Sequence, residues 1–161
     1  QSIKNKSYPR IKPVSEMKLI HSKQSWKGFF EYPEDDNEIE VRQPVAFGLE
    51  ITLDDNSFTG IATDAEAGHL FDQPIQVYGF FQDHIISFVK KYPCLYFKDE
   101  AGNLTIDPSE NHPDIYYYGT IDSSKTRVTG TWEMVIESIE IEIGDYIEKV
   151  YSGNFEMRRT D

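Results

Sequence analysis

The chain has 161 residues, a formal net charge of −12 at pH 7, and 39% hydrophobic and 14% aromatic residues. That length suits one domain able to bury about two-thirds of its unfolded surface, and the acidic balance argues against phosphate backbones and anionic membranes, which recruit clustered Lys and Arg. The lone Cys94 excludes an internal disulfide and a cysteine-based metal site and slightly favours a reducing compartment such as the cytoplasm.

Residues 1–24 mix Lys and Ser with Pro9 and Pro13 and read as an N-terminal arm, while 25–161 read as a single β-barrel domain. The first twenty residues carry no signal-peptide core, and a chain opening at Gln1 rather than Met leaves a removed leader open. No apolar run approaches the roughly 20 residues of a membrane-spanning helix, so a soluble chain is expected.

From residue 25 onward short strands alternate with turn signals, and no convincing helix-period segment interrupts them. The first strand covers 25–32 and ends at Pro33, before the acidic loop 34–40. The second, 45–53, shows the cleanest period-2 alternation, with Val45, Phe47, Leu49, Ile51 and Leu53 on one face. Asp54-Asp-Asn-Ser57 turns the chain into a strand at 58–63, and 64–68 turns it toward strands at 75–81 and 85–92. The excursion 93–113 follows, with hairpin chemistry at Asp99-Glu-Ala-Gly102-Asn, and then a strand at 115–121. The last two strands start at Thr126 and end near Arg158. The apolar phase of the first of them switches after Ile136, which predicts a bulge near Glu137-Ser138, and Gly144-Asp145 marks the tip of a hairpin projecting beyond the barrel. Glu137, Glu140 and Glu142 would form its charged face, charges of a kind that blunt exposed edges.

Gly28, Gly48, Gly60, Gly79, Gly119, Gly130 and Gly153 fall singly inside these strands. Strand glycines pack nothing and mark bends that let a sheet curl. The near-repeat Gly130-Thr-Trp132-Glu-Met134 and Gly153-Asn-Phe155-Glu-Met157 puts Gly, aromatic and Met on one face. Eight short strands with mostly short connections predict an all-β, eight-stranded antiparallel up-and-down barrel, with a β-sandwich as the alternative. In Trp26-Lys-Gly28-Phe-Phe30, Gly60-Ile-Ala-Thr-Asp64 with Gly68, Phe88-Val-Lys90-Lys-Tyr92 and the two late Gly-aromatic-Met strands, the chain resembles the calycin group of lipocalin-like and avidin-like barrels. It departs from typical lipocalins in lacking an early Gly-x-Trp, a disulfide pair and a helix after the barrel.

If the Gly-aromatic faces point inward, the interior holds Trp26, Phe30, Phe47, Leu49, Ile51, Phe81, Phe88, Tyr92, Tyr117, Trp132, Met134, Phe155 and Met157. Such a barrel either fills with side chains or keeps a cavity for one small ligand. Lys90 shares the face of Phe88 and Tyr92, so it either snorkels at the barrel mouth or meets an anion from a ligand or from Asp64. His21, His69, His84 and His112 fall in loops or termini without metal-binding spacing and read as solvated. Neither a metal nor a cofactor is expected. No Gly-x-Ser-x-Gly occurs, and with 28 acidic residues carboxylate pairs arise by coincidence, so catalysis is not favoured.

The leading expectation is a non-enzymatic barrel taking a small apolar or amphipathic ligand. Its walls would be Trp26, Tyr92, Tyr117 and Trp132, supported by Phe30, Phe88 and Met134, with Lys90 as anchor for an anionic head. The alternative is a protein-interaction barrel with a filled core, using Tyr116 and Tyr118, the acidic loop, or the projecting hairpin. An enzyme at the barrel mouth ranks third.

Overall fold

The computed structural model describes residues 22–33 and 43–161. Among these described residues ten strands form: β1 (Ser22–Phe30), β2 (Val45–Asp54), β3 (Ser57–Asp64), β4 (Ile75–Gln82), β5 (Ile85–Lys91), β6 (Leu95–Lys98), β7 (Leu104–Asp107), β8 (Ile115–Ile121), β9 (Arg127–Glu142) and β10 (Asp145–Arg159). Eight of them pair antiparallel in the order β1-β2-β3-β4-β5-β8-β9-β10. β10 returns to β1, so the sheet closes as a barrel. Every barrel neighbour is the next barrel strand in sequence, as an up-and-down topology requires. The excursion after β5 carries β6 and β7 as a separate hairpin, turned at Gly102 (φ 81°).

β1 begins three residues before its expected start, because Ser22, Lys23 and Gln24 pair with Leu53, Thr52 and Ile51. The rest of the expected arm and the whole acidic loop 34–40 lie outside the described residues. Tight turns follow the sequence chemistry: Asp55 and Asp83 take left-handed conformations (φ 57° and 55°), and Asp122 accepts from the backbone N–H of Thr126 and Arg127 to close the β8–β9 turn.

The strand glycines mark places where backbones come close. A Cβ on Gly130 would run into the Tyr118 carbonyl oxygen, and one on Gly153 would strike the Glu31 carbonyl oxygen and lie 2.7 Å from the Trp132 indole nitrogen. Alternation fills the interior, burying Leu49, Phe88, Tyr117, Phe155 and Met157 as expected and Phe58, Ile86 and Val128 beside them. Phe88 stacks on Tyr117 at 4.6 Å with the ring planes 7° apart, and Phe155 meets the Tyr117 ring edge-on at 5.0 Å. Two residues expected inside are only half-buried, since they sit at the open ends: Phe81 at the lower end, against Phe58, and Met134 at the upper.

β9 and β10 outrun the barrel. β8 pairs with β9 only as far as Met134, and β1 pairs with β10 only from Phe155 onward, so among the described residues Val135–Glu142 (135–142) and 145–150 pair only with each other. The expected bulge is present at Ile136, which has no partner between the pairs Val135↔Val150 and Glu137↔Lys149, and a second falls at Ile141. Gly144 (φ 86°) turns the tip.

Candidate functional site at the upper barrel end

Strand phase fixes the site. On β5 the inward positions are Ile86, Phe88 and Lys90, so the pattern that buries two apolar side chains buries the lysine as well. Lys90 is 1% exposed, which overturns a snorkelling position at the mouth. Its Nζ lies 3.6 Å from Asp64 Oδ2, an ion pair rather than a hydrogen bond. Four rings surround it: Phe30 at 4.8 Å, Tyr92 at 5.1 Å, Tyr117 at 5.6 Å and Phe47 at 6.0 Å from their centroids. The aromatic faces and the carboxylate together hold a cation that burial alone would expel. Even so, among the described residues Lys90 Nζ is a buried donor without a hydrogen-bond partner.

Asp64 ends β3 and binds in several directions. Oδ1 accepts from the backbone N–H of Ala67 at 2.6 Å and Gly68 at 3.1 Å, capping the 3-10 turn Gly68–Leu70, and Oδ2 accepts from the Tyr92 hydroxyl. Burial opposes its charge, but Lys90, the Tyr92 hydroxyl and the two amides together hold its carboxyl below the ordinary range. Burial pushes Lys90 down, and Asp64 opposes that shift. The pair is therefore internally compensated.

Above this pair the β6–β7 excursion and the end of β1 close the barrel with aromatic rings. Tyr32 donates to Glu66 Oε2 at 2.7 Å, and Tyr96 lies edge-on to Tyr92 at 4.9 Å. His112 stacks on Tyr96 at 4.6 Å with a 10° interplanar angle. His112 is thus half-buried rather than solvated. Burial pushes its imidazole below the usual value, against a hydrogen bond to the Pro113 carbonyl. Burial likewise raises the phenols of Tyr32, Tyr92, Tyr96 and Tyr117.

The structure brings Phe30, Tyr92, Tyr117, Trp132 and Met134 around one cavity of about 20 Å³, joined by Tyr32, Tyr96 and Ile115. That is room for about one water. Trp132 is 3% exposed, and its Nε1 donates to the Glu31 carbonyl at 3.0 Å. Phe88 lies one layer deeper, beneath Tyr117. Trp26 belongs elsewhere: it is buried at the lower end, 6.4 Å from the Phe81 ring, with Nε1 donating to Gln24. It does not line the cavity that the other expected wall residues share. Tyr32, Glu66 and Tyr96 escaped sequence reasoning, since they lie in or beside connections where no periodicity points inward.

On the outer wall Tyr116 and Tyr118 are 37% and 46% exposed while Tyr117 points inward, the split expected from alternation. Tyr116 pairs with Val89, which pairs with Tyr78, and Tyr118 reaches Phe80 through Ser87, so these rings form cross-strand rows. Among the described residues no three His, Cys, Asp or Glu side chains group for a metal, and no helix is long and apolar enough to cross a membrane. Comparison with protein-family models, curated proteins and solved structures found no match.

Proposed function

We propose that the protein is a non-enzymatic, calycin-like interaction barrel whose filled core presents the β9–β10 ribbon as a docking element. One observation carries this reading: the ribbon leaves Ile139, Ile141, Tyr146 and Ile147 at 49%, 59%, 60% and 55% exposure, although an isolated two-stranded hairpin is marginal in water. The interior supports it from the other side, since its aromatic rings leave little free volume and Lys90 already has Asp64 as counterion.

Photo-crosslinking tests it, with a benzophenone side chain placed at Ile139 and, as control, at Ile61 on the outer wall, in extracts of the source cells. An adduct from position 139 that Ile147→Asp abolishes and that position 61 does not give supports docking. Equal adducts from both positions, or none, overturn it.

A second reading keeps the expected interior ligand. It is favoured by the unsatisfied Lys90 Nζ beside the rings that line the small cavity. Because Asp64 compensates Lys90, an anionic head would compete with that carboxylate, and a neutral hydrogen-bond acceptor fits better. Anything larger than water requires Tyr32 and Tyr96 to move. A thermal-shift screen of apolar and amphipathic compounds, repeated on Trp132→Phe, tests this reading by mass action.

A further inference from the structure

Resting on the docking role of the ribbon, we infer that its occupant is a basic, extended protein segment, alternating apolar and basic residues, that adds as a strand to the edge of β10 at 145–150 left open among the described residues. Three observations select the edge, the conformation and the charge.

The two edges of the ribbon differ. Both unpaired extra residues, Ile136 and Ile141, fall on β9. Bulges twist and blunt an edge. β10 carries no extra residue between Asp145 and Val150, so its backbone keeps the regular spacing that strand addition needs. This edge also continues the line of β1, past which Glu31 N–H bonds the Asn154 carbonyl and the Tyr32 ring lies 6.1 Å from that of Tyr151. An added strand would extend the barrel's own pairing.

The two faces differ as well. Cross-strand pairing puts Ile147 beside Ile139 on one face, with Lys149 beside Glu137. The other face carries Tyr146 beside Glu140 and Glu148 beside Ser138. A strand laid against β10 has period-2 side chains of its own, so one set lies beside Ile147 and Lys149, with Ile139 one strand further on, and the next lies beside Tyr146 and Glu148, with Glu140 one strand further on. Apolar residues suit the first set, Lys or Arg the second.

Charge narrows the partner further. Glu137, Glu140, Glu142, Asp145 and Glu148 face the single Lys149 along the ribbon. A second copy of the ribbon would oppose like charges, which disfavours self-pairing. The segment 34–42, with Glu34, Asp35, Asp36, Glu38 and Glu40 against Arg42, carries the same sign as the ribbon and is disfavoured for the same reason.

The test titrates the full-length chain with the synthetic peptide Lys-Ile-Lys-Val-Lys-Ile-Lys-Val, its Glu-for-Lys counterpart, and a version with Pro at the fourth position, following backbone amide shifts by NMR. The expected result is a perturbation centred on 145–150, no binding of the acidic peptide, and a roughly tenfold loss of affinity for the Pro peptide and for the Glu140→Lys/Glu148→Lys protein, in the range that reversed charges and lost strand pairing produce. Shifts spread over the acidic barrel surface, or equal binding of the Pro peptide, would show charge attraction alone and overturn the inference. So would a response that appears only after the chain's own Lys4, Lys6, Arg10 and Lys12 are replaced by Gln, since those residues would then be the occupant. No binding by any peptide, alongside a specific adduct at position 139, would overturn the basic partner and leave the docking role standing.

Discussion

One hairpin of this protein lives in two environments. In their lower parts β9 and β10 bury Val128, Trp132, Phe155 and Met157, each under 5% exposed, while in their upper parts the same alternation leaves Ile139 and Ile147 about half exposed. Apolar content does not separate the two halves, since both alternate large apolar side chains with polar ones. Neighbours do: below Met134 and beyond Phe155 each strand has a partner on both sides and a layer of rings behind it, and above them it has one partner among the described residues. Sheet propensity is thus mostly a statement about what packs against the side chain.

The largest effect should come from cutting the packed half. Trp132→Ala removes a ring that seals the upper core and should cost about 3–5 kcal/mol by urea unfolding. Ile139→Ala on the ribbon should cost under about 0.5 kcal/mol. Comparable losses at the two positions would mean that the ribbon is packed in solution, and the contrast would fail.

Lys90→Met comes next, at about 3 kcal/mol, because it leaves the Asp64 carboxylate buried without its cation. Adding Asp64→Asn should recover part of that loss. If Lys90→Met alone is neutral, the ion pair contributes no net stability to the barrel. A smaller loss, about 1–3 kcal/mol, is expected for Gly153→Ala, whose Cβ must displace the Glu31 carbonyl or the Trp132 ring.

Titration separates the halves by pH. The Asp64 carboxyl lies below its ordinary value, so its contribution is complete above about pH 4 and is lost as pH falls through the lower folded value. The raised phenols of Tyr32, Tyr92, Tyr96 and Tyr117 work at the other end: their contribution is complete below about pH 10 and is lost as pH rises toward their folded values. Lys90, lowered, has the opposite sign, its penalty easing as pH rises toward its ordinary value, one group against four. Melting temperature should therefore fall in acid and in alkali, and phenolate absorbance from these four rings should appear only with unfolding. Appearance of their phenolate while the fold persists would contradict closure of the upper end. The subtlest contrast is dynamic: amides at 135–150 should exchange much faster than those of β5 and β8, as expected where few apolar contacts hold the backbone bonds.

Much of the barrel was legible because it rests on local rules. Period-2 alternation in β2 and β5, Asp and Gly at turns, and single glycines inside strands placed the eight barrel strands, the hairpin in 93–113 and the bulge beside Glu137. The site was legible only in part. Lys90 and Asp64 could be paired as a conjecture because both end inward phases, and Tyr92, Tyr117 and Trp132 follow from alternation. Tyr32, Glu66 and Tyr96 lie in or beside connections, and nothing local says that residues so far apart in the chain meet. Trp26 shows the reverse error: facing inward placed it in the barrel but not at which end, because strand tilt and register set height along the axis.

By itself, then, the sequence determined the class of fold, the order of its strands and which side chains turn inward, because these depend on period and turn chemistry over a few residues. Only the tertiary structure decided that Lys90 is buried against Asp64 rather than solvated, that the barrel is nearly full, and that β9 and β10 extend past their neighbours. Those outcomes depend on closure, which sets register between strands distant in sequence and so determines which inward-facing residues share a layer and which have nothing beside them.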